Sequence, residues 1–430
     1  MYLAPGITRA NAIVKLYASF ITVAMLTGMN FLQGYVLTEH LGVPRGQQGT
    51  LSGDLSFWTE VVAILLYNPM GVLADRIGRR PLYVFGILMV GLGYGLYPFA
   101  TSVPELLVYR LVFAVGLAAT TGVIAILAND YPLDRSRGKL IGFSAMCNVA
   151  GTIFMASLVA RIPLLTAAQG FDPVMGGKIM YLFAAVLCIV SAAIFYRGLA
   201  PGVPADISKD VKGRASVGEL LQSGIKAGAN PRIALSYAAA FVARSDMVIK
   251  GMFLALWAIQ SGRDMGLRPD ESMARFGIMY VAMYAVSFFS APLFGWFIDR
   301  VNRVTVMMVA LGIAAAGYSC VILLDTPLDM SAMPYLMLMT LGSSCMIKAS
   351  LALVGQEAEA RTRGSVIAFN SFCGAIGILL FSSIGGRLFD QVAPWAPFVM
   401  LGVYQFLLFL VAGVVRITAP GKQPQPVAAS

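Results

Sequence analysis

The chain has 430 residues, of which 58% are hydrophobic and only 12% are charged, and its mean hydropathy is +0.77. Soluble globular domains carry about 25% charged residues, so this composition excludes a soluble protein. The formal net charge of +10 would suit a nucleic-acid-binding protein, but the placement of the basic residues along the chain argues against that class.

In the first half of the chain, the charged residues are separated by long uncharged stretches. These lie between Lys15 and Glu39, Arg80 and Glu105, Arg110 and Asp130, Lys139 and Arg161, and Lys178 and Arg197. Each holds at least about 18 residues, enough for a helix to cross about 30 Å of hydrocarbon. One further apolar segment, about 53–75, contains internal charge. The first half therefore predicts six spans, which we number 1 to 6.

The second half shows the same pattern. Its uncharged stretches lie between Arg275 and Asp299, Arg303 and Asp325, Asp329 and Lys348, Arg363 and Arg387, and Asp390 and Arg416. The segment about 234–260 is apolar but carries internal charges. Because the apolar runs are continuous rather than alternating, a closed barrel is excluded. The sequence predicts an all-α membrane protein with twelve transmembrane helices.

Basic residues are distributed unevenly between the loops. With the N-terminus in the cytoplasm, the inside loops hold Arg76, Arg79, Arg80, Arg135, Arg137, Lys139, Lys209, Lys212, Arg214, Lys226, Arg232, Arg300, Arg303, Arg361 and Arg363. This bias predicts that both termini are cytoplasmic, in a multi-pass protein of the cell (inner) membrane. The first apolar run is too long for a signal peptide and lacks a cleavage pattern, so we expect it to remain. We expect a monomer that is surrounded by lipid and binds no nucleic acid.

A polar connection near the middle of the chain divides it into two halves. We predict an N-terminal six-helix bundle at 1–200, a cytoplasmic linker at 201–232 and a C-terminal six-helix bundle at 233–430. Within the linker, Val217–Ala227 has the pattern of a short amphipathic helix lying on the membrane surface.

The two halves resemble each other in sequence. Residues 135–143 (RSRGKLIGF) reappear as 361–369 (RTRGSVIAF), and residues 71–80 (GVLADRIGRR) are echoed by 295–303 (GWFIDRVNR). Two segments that repeat at nearly one offset indicate duplication. Since each repeat has an even number of spans, the halves are parallel repeats, an arrangement that places the substrate between them near the midplane.

The segment Gly71–Arg80, between spans 2 and 3, resembles the signature loop of the major facilitator superfamily. Its degenerate copy between spans 8 and 9 and the six-plus-six layout agree, so the resemblance covers essentially the whole chain. It implies two pseudo-symmetric six-helix bundles around a central cavity, which alternate between inward-open and outward-open states and move a small solute.

The signature loops are predicted to act as gates. In the first loop, glycines permit a sharp turn, and Asp75 could hold the start of span 11 near Gly364, where helix amides favour a carboxylate. Asp299 could do the same for span 5 near Gly138. Asp130 could pair with Arg76 or Arg79. The alternative is that the arginines only enforce topology. The gating candidates are Gly71, Asp75, Arg76, Gly78, Arg79, Asp130, Gly295, Asp299, Arg300 and Arg303.

Six charged side chains fall inside predicted spans. They are Glu60 in span 2, Arg110 in span 4, Arg244, Asp246 and Lys250 in span 7, and Lys348 in span 10. A charge at mid-membrane costs roughly 2.5–3.5 kcal/mol on insertion scales, so each needs a partner or a wet cavity. The family resemblance implies that spans 1, 4, 7 and 10 line the cavity, and all of these residues but Glu60 lie on them.

The excess of positive over negative charge among these six favours an anionic solute. The substrate-binding candidates are Arg244, Asn30, Gln33, Tyr35, Arg110, Lys348 and Tyr284. The proton-coupling candidates are Glu60, Asp246 and Lys250, because a carboxyl group among apolar side chains can bind a proton reversibly. Alternatives stay open: Asp246 and Lys250 are four residues apart and could neutralise each other, and Arg110 and Lys348 could snorkel to the membrane surface.

These residues lead to the hypothesis of a proton-coupled transporter of a small organic anion. The main alternative is a drug/proton antiporter, which the 23 Met and 25 Phe would suit; the family's glycine-proline signature for antiport is missing from span 5. A non-transporting sensor with the same fold is the third possibility.

An enzyme is disfavoured because the single histidine, His40, lies in an outer loop and no nucleophile motif or phosphate-binding loop occurs. We therefore predict no catalytic residue and no cofactor. All five cysteines fall inside predicted spans, and no metal site or disulfide is predicted.

Overall fold

A computed structural model describes residues 2–201, 217–359 and 363–421. The linker residues 202–216, together with Arg361, lie outside the described part of the chain. The α-helices are α1 (Arg9–Tyr35), α2 (Arg45–Ile77), α3 (Arg79–Leu96), α4 (Val103–Asp130), α5 (Asp134–Ser157), α6 (Ile162–Ala167), α7 (Pro173–Gly198), α8 (Val217–Ala227), α9 (Pro231–Asp264), α10 (Pro269–Arg300), α11 (Arg303–Ser319), α12 (Met333–Glu357), α13 (Arg363–Gln391) and α14 (Ala396–Thr418).

Twelve of these helices correspond to the predicted spans, which confirms the all-α membrane fold. Spans 1 to 5 are α1 to α5, span 6 is α7, and spans 7 to 12 are α9 to α14. By length and hydropathy alone, eleven segments of the described chain could cross a membrane. The twelfth, α9, is 34 residues long but carries Arg244, Asp246 and Lys250 in its middle, which lowers its mean hydropathy.

Helix boundaries follow local chemistry. Gly78 separates α2 from α3 with φ 95°, a left-handed conformation that favours glycine. Ser102 and Asp172 cap α4 and α7 by accepting hydrogen bonds from backbone amides of the first turn. Prolines lie inside α2 (Pro69) and α10 (Pro292), where membrane helices tolerate them.

The short helix predicted within the linker is present at the predicted residues. Val217–Ala227 forms α8, which packs against α13. The hydroxyl of Tyr237 donates to the carbonyl of Gly224 at 3.0 Å, and a Cβ at Gly224 would meet Phe369. Close backbone packing therefore holds this helix to its neighbours.

The structure divides into two compact units. Unit 1 comprises Met1–Pro44, Trp58–Arg214 and Gly262–Tyr280. Unit 2 comprises Arg45–Phe57, Ala215–Ser261 and Val281–Ser430. Within unit 1, α1 packs on α5 and α7, and α3 packs on α4 and α7. Within unit 2, α11 packs on α12 and α14.

Glycines at equivalent positions of the two halves make equivalent helix contacts. A Cβ at Gly151 of α5 would meet the carbonyl oxygen of Phe20, and a Cβ at Gly377 of α13 would meet that of Phe241. Such small residues let membrane helices approach closely. The repeat detected in the sequence is therefore also a repeat in packing.

Candidate functional site

Arg110 is the centre of a buried polar cluster in unit 1. Its side chain comes from α4 and is only 1% exposed, so it does not snorkel. Nε donates to the hydroxyl of Thr59 at 3.0 Å, and Nη2 donates to the amide oxygen of Asn30. Within the described chain, Nη1 has no hydrogen-bond partner. A permanent cation is thus held by neutral oxygens with one donor group unused.

Aromatic rings enclose this Arg110 cluster. The guanidinium carbon lies 5.4 Å from the ring centroid of Phe113, a cation–π contact. Tyr97 donates to Gln33 Oε1 at 3.0 Å and stacks on Tyr181 with ring centroids 5.4 Å apart. Gln33 is fully buried, and its amide nitrogen has no partner among the described residues. Two donors, Arg110 Nη1 and Gln33 Nε2, could therefore hydrogen-bond a ligand.

Two further candidates of unit 1 are Glu60 and Tyr35. Glu60 follows Thr59 directly on α2 and is 5% exposed. The hydroxyl of Tyr35 donates to the carbonyl of Pro173 at 3.0 Å, and the Tyr35 ring packs edge-on against His40. We interpret the Tyr35 contacts as structural.

Unit 2 holds a second buried polar cluster, centred on Asp246 and Lys250 of α9. The amide nitrogen of Gln405 lies 3.3 Å from each carboxylate oxygen of Asp246. The ammonium of Lys250 donates to the hydroxyl of Ser343 and lies 5.9 Å from the ring centroid of Tyr284. Asp246 is fully buried and Lys250 is 4% exposed. The two opposite charges attract each other, but each has its own hydrogen-bond partner.

The remaining candidates of unit 2, Arg244 and Lys348, hydrogen-bond to groups outside this Asp246 cluster. Arg244 extends over Gly374 of α13, and its Nη1 donates to the carbonyl of Ser371 at 3.1 Å, in an exposed position. Lys348 donates to the hydroxyl of Ser344, one turn earlier on α12, at 3.1 Å. Arg244 therefore presents an accessible cation, whereas Lys348 is half-buried along its own helix.

The first signature loop forms a charge network. Arg79 is 4% exposed, and its guanidinium lies 2.7 Å from a carboxylate oxygen of Asp130 and 3.9 Å from one of Asp75. Burial raises the pKa of Asp130, although the neighbouring Arg79 opposes this effect. Arg76 is exposed, and a Cβ at Gly71 would meet nothing within 4 Å. Of the two arginines proposed for Asp130, the structure brings Arg79 to it.

Among the described residues, the second signature loop makes different contacts. Asp299 is exposed, and Arg300 lies over the ring of Trp296 at 4.4 Å. Arg303 donates to the carbonyl of Ala352 at 3.0 Å. Asn302 replaces the turn glycine and caps α11 by accepting from the amide of Val304 at 2.9 Å.

Gly295, the counterpart of Gly71, also faces open space. Unit 2 also holds an ion pair between Arg232 and Glu357, at 2.6 Å.

Sequence reasoning missed the buried charge of Lys15. We expected span 1 to begin after it, but α1 begins at Arg9, and Lys15 is 1% exposed. Its ammonium donates to the hydroxyl of Ser144 on α5 at 2.5 Å. The capping box formed by Thr8 and Asn11 was the signal that could have placed the helix start earlier.

Three comparisons bear on the family. The Major Facilitator Superfamily model matches residues 16–382 and 238–430. The magnetosome protein MamH of Paramagnetospirillum magneticum is 28% identical over 406 residues, covering 93% of this chain and 90% of the relative. The multi-drug resistance efflux pump PmrA of Streptococcus pneumoniae is 24% identical over 362 residues, covering 82% of this chain and 84% of the relative.

The fold is also similar to that of a transporter of known structure. The crystal structure of the nucleoside transporter NupG superposes with a TM-score of 0.72 at 15% identity, covering 95% of this chain and 99% of that one. Together with the family model, the twelve helices and the duplicated signature loop, this likeness establishes that the chain belongs to the Major Facilitator Superfamily of membrane transporters.

Proposed function

We propose that this chain is a secondary active transporter that moves a small organic anion, coupled to protons, by alternating access. The observation that carries the proposal is Arg110, a guanidinium that is 1% exposed and hydrogen-bonded to the neutral oxygens of Thr59 and Asn30. Within the described chain, its Nη1 has no partner. A carboxylate on the solute would neutralise this charge and accept from the unused donors.

The Asp246 cluster supports the proton-coupling part of the proposal. A buried carboxylate that accepts from a neutral amide, Gln405, and lies near a buried lysine can exchange a proton at modest cost. When Asp246 is protonated, Lys250 loses its counter-charge. Protonation of Asp246 on α9 thus changes the charge of unit 2.

A flux assay in proteoliposomes tests the anion role. We expect nicotinate or lactate to enter vesicles that contain the protein faster than protein-free vesicles, with a rate that depends on the pH gradient. Arg110→Gln should lower uptake by about 10- to 100-fold, because one charge-assisted interaction with the anion is lost. Arg110→Lys keeps the charge but not the fork geometry, so it should retain part of the flux.

Arg197→Gln is the matched control, because this arginine is exposed at the end of α7. Its flux should equal that of the unchanged protein. Undiminished uptake in Arg110→Gln would remove the basis of the anion proposal.

The second candidate function is drug/proton antiport, which the match to PmrA over 82% of the chain favours. The same vesicles distinguish the two functions. Proton-driven movement of tetraphenylphosphonium, with no movement of nicotinate or lactate, would support antiport.

We also propose that both termini lie in the cytoplasm of a cell whose inner membrane holds the protein as a monomer. The basic loops support this orientation.

A further inference from the structure

Lys15 is a buried cation that lies outside the Arg110 cluster. It belongs to the second turn of α1, is 1% exposed, and donates to Ser144 of α5 at 2.5 Å. The hydroxyl of Ser144 in turn donates its hydrogen to the carbonyl of Leu140 at 2.7 Å. Toward the lysine, the Ser144 oxygen therefore acts as the acceptor. This interaction is specific, but Ser144 carries no charge.

The surroundings of Lys15 are polar and uncharged. The hydroxyl of Ser19 donates to the Lys15 carbonyl at 3.3 Å, and the amide nitrogen of Asn148 lies within hydrogen-bond distance of the carbonyls of Ser19 and Ser144. Among the described residues, the ion pairs do not include one with Lys15. An ammonium has three donors, and Ser144 uses one.

A buried charge with no counter-charge is unfavourable in a membrane helix, and such residues commonly mark an ion or substrate pathway. Lys15 shares α1 with Asn30, the partner of Arg110. At 1.5 Å per residue, the 15 positions between them correspond to about 22 Å along the helix axis. The two cations are therefore too far apart to bind the same small molecule.

We propose that Lys15, with Ser144, forms a second anion-binding station in unit 1, at the end of α1 where the helix begins. The anion held at Arg110 passes to this station on its way to or from that side of the membrane. The station rests on the proposed anion transport and specifies where in the bundle the anion binds a second time.

Exchange of labelled nicotinate across proteoliposomes tests the station. Lys15→Met removes the charge, and we expect exchange to slow by about 10-fold, since one charged contact along the route is lost. Nicotinate should still raise the unfolding temperature of the purified variant, because Arg110 remains intact. Lys15→Arg should restore most of the exchange rate.

Two further variants separate charge from structure. Lys15→Gln keeps a hydrogen bond to Ser144 but lacks the charge, so it should slow exchange as much as Lys15→Met. Lys226→Met, which changes an exposed lysine of α8, should exchange at the unchanged rate. If Lys15 were only structural, Lys15→Met would fold stably and transport normally, because replacing an unpaired buried charge by an apolar side chain is often neutral or stabilising.

The outcomes distinguish this inference from the proposed function. Normal exchange in Lys15→Met and Lys15→Gln, together with loss in Arg110→Gln, would overturn the second station and leave anion transport standing. If Lys15→Met fails to fold, the nicotinate exchange rate of Lys15→Gln alone decides whether the second station stands. Absence of nicotinate and lactate flux in the unchanged protein would overturn both proposals.

Discussion

Arg79 shows how a single residue links the signature loop to the neighbouring helix end. It follows the left-handed Gly78 directly, so the turn aims its side chain back into unit 1, where it lies 2.7 Å from Asp130. Burial of Asp130 disfavours its charged form, and Arg79 offsets part of that cost. Without this arginine, the half-buried carboxylate would lack its nearest cation.

Replacing Arg79 with methionine should therefore make stability depend on pH. The pKa of Asp130 is already raised above its ordinary value of 3.8 in the folded protein, and loss of Arg79 should raise it further. A raised folded pKa means that the folded state binds the proton more tightly, so stability falls as pH rises from 3.8 through the folded pKa. In detergent, the unfolding temperature of Arg79→Met should fall further below that of the unchanged protein at pH 8 than at pH 5.

Arg76→Met provides the control, because Arg76 is exposed at the end of α2. Its unfolding temperature should follow that of the unchanged protein at both pH values. Equal losses for Arg79→Met at pH 5 and pH 8 would show that Asp130 does not depend on this ion pair.

At the scale of helices, close glycine contacts hold each unit together. Gly151 brings α5 onto the backbone of α1, and Gly377 brings α13 onto that of α9. The residues are 226 positions apart, so the duplication has preserved the closest helix approach in both halves. Packing of this kind replaces the hydrophobic effect, which is weak between helices in lipid.

Alanine at either glycine should destabilise its unit. The new Cβ would meet a backbone carbonyl, which cannot move aside as a flexible side chain could, and overpacking costs roughly 1–3 kcal/mol. Gly151→Ala and Gly377→Ala should both lower the unfolding temperature. Gly413→Ala is the control: the nearest atom to its Cβ would be the Met308 sulfur at 3.9 Å, so alanine should be neutral or stabilising.

The helices could be predicted from the sequence because their positions depend on local composition. Uncharged stretches located the helices because hydrocarbon excludes charge over about 20 consecutive residues. The same rule misplaced the start of α1, because Lys15 was taken as a boundary although a neighbouring helix supplies Ser144. Gln405 and Ser343 could not be predicted as partners of Asp246 and Lys250, because they lie 159 and 93 residues away along the chain.

At the scale of the whole molecule, the two buried polar clusters belong to different units. The Arg110 cluster belongs to unit 1, and the Asp246 cluster belongs to unit 2. Each cluster is completed by residues of its own unit, so substitution in one should leave the hydrogen bonds of the other intact. Anion binding and proton coupling should therefore be separable by mutation.

Asp246→Asn tests this separation. Asparagine keeps an oxygen for the amide of Gln405 but cannot be ionised. We expect nicotinate to raise the unfolding temperature of the variant as it does for the unchanged protein, because bound ligand stabilises by mass action. Accumulation of nicotinate driven by a pH gradient should be lost, while exchange without a gradient persists. Asp325→Asn, at an exposed loop position, should behave like the unchanged protein. Retention of gradient-driven accumulation in Asp246→Asn would assign proton coupling elsewhere, with Glu60→Gln as the next variant to measure.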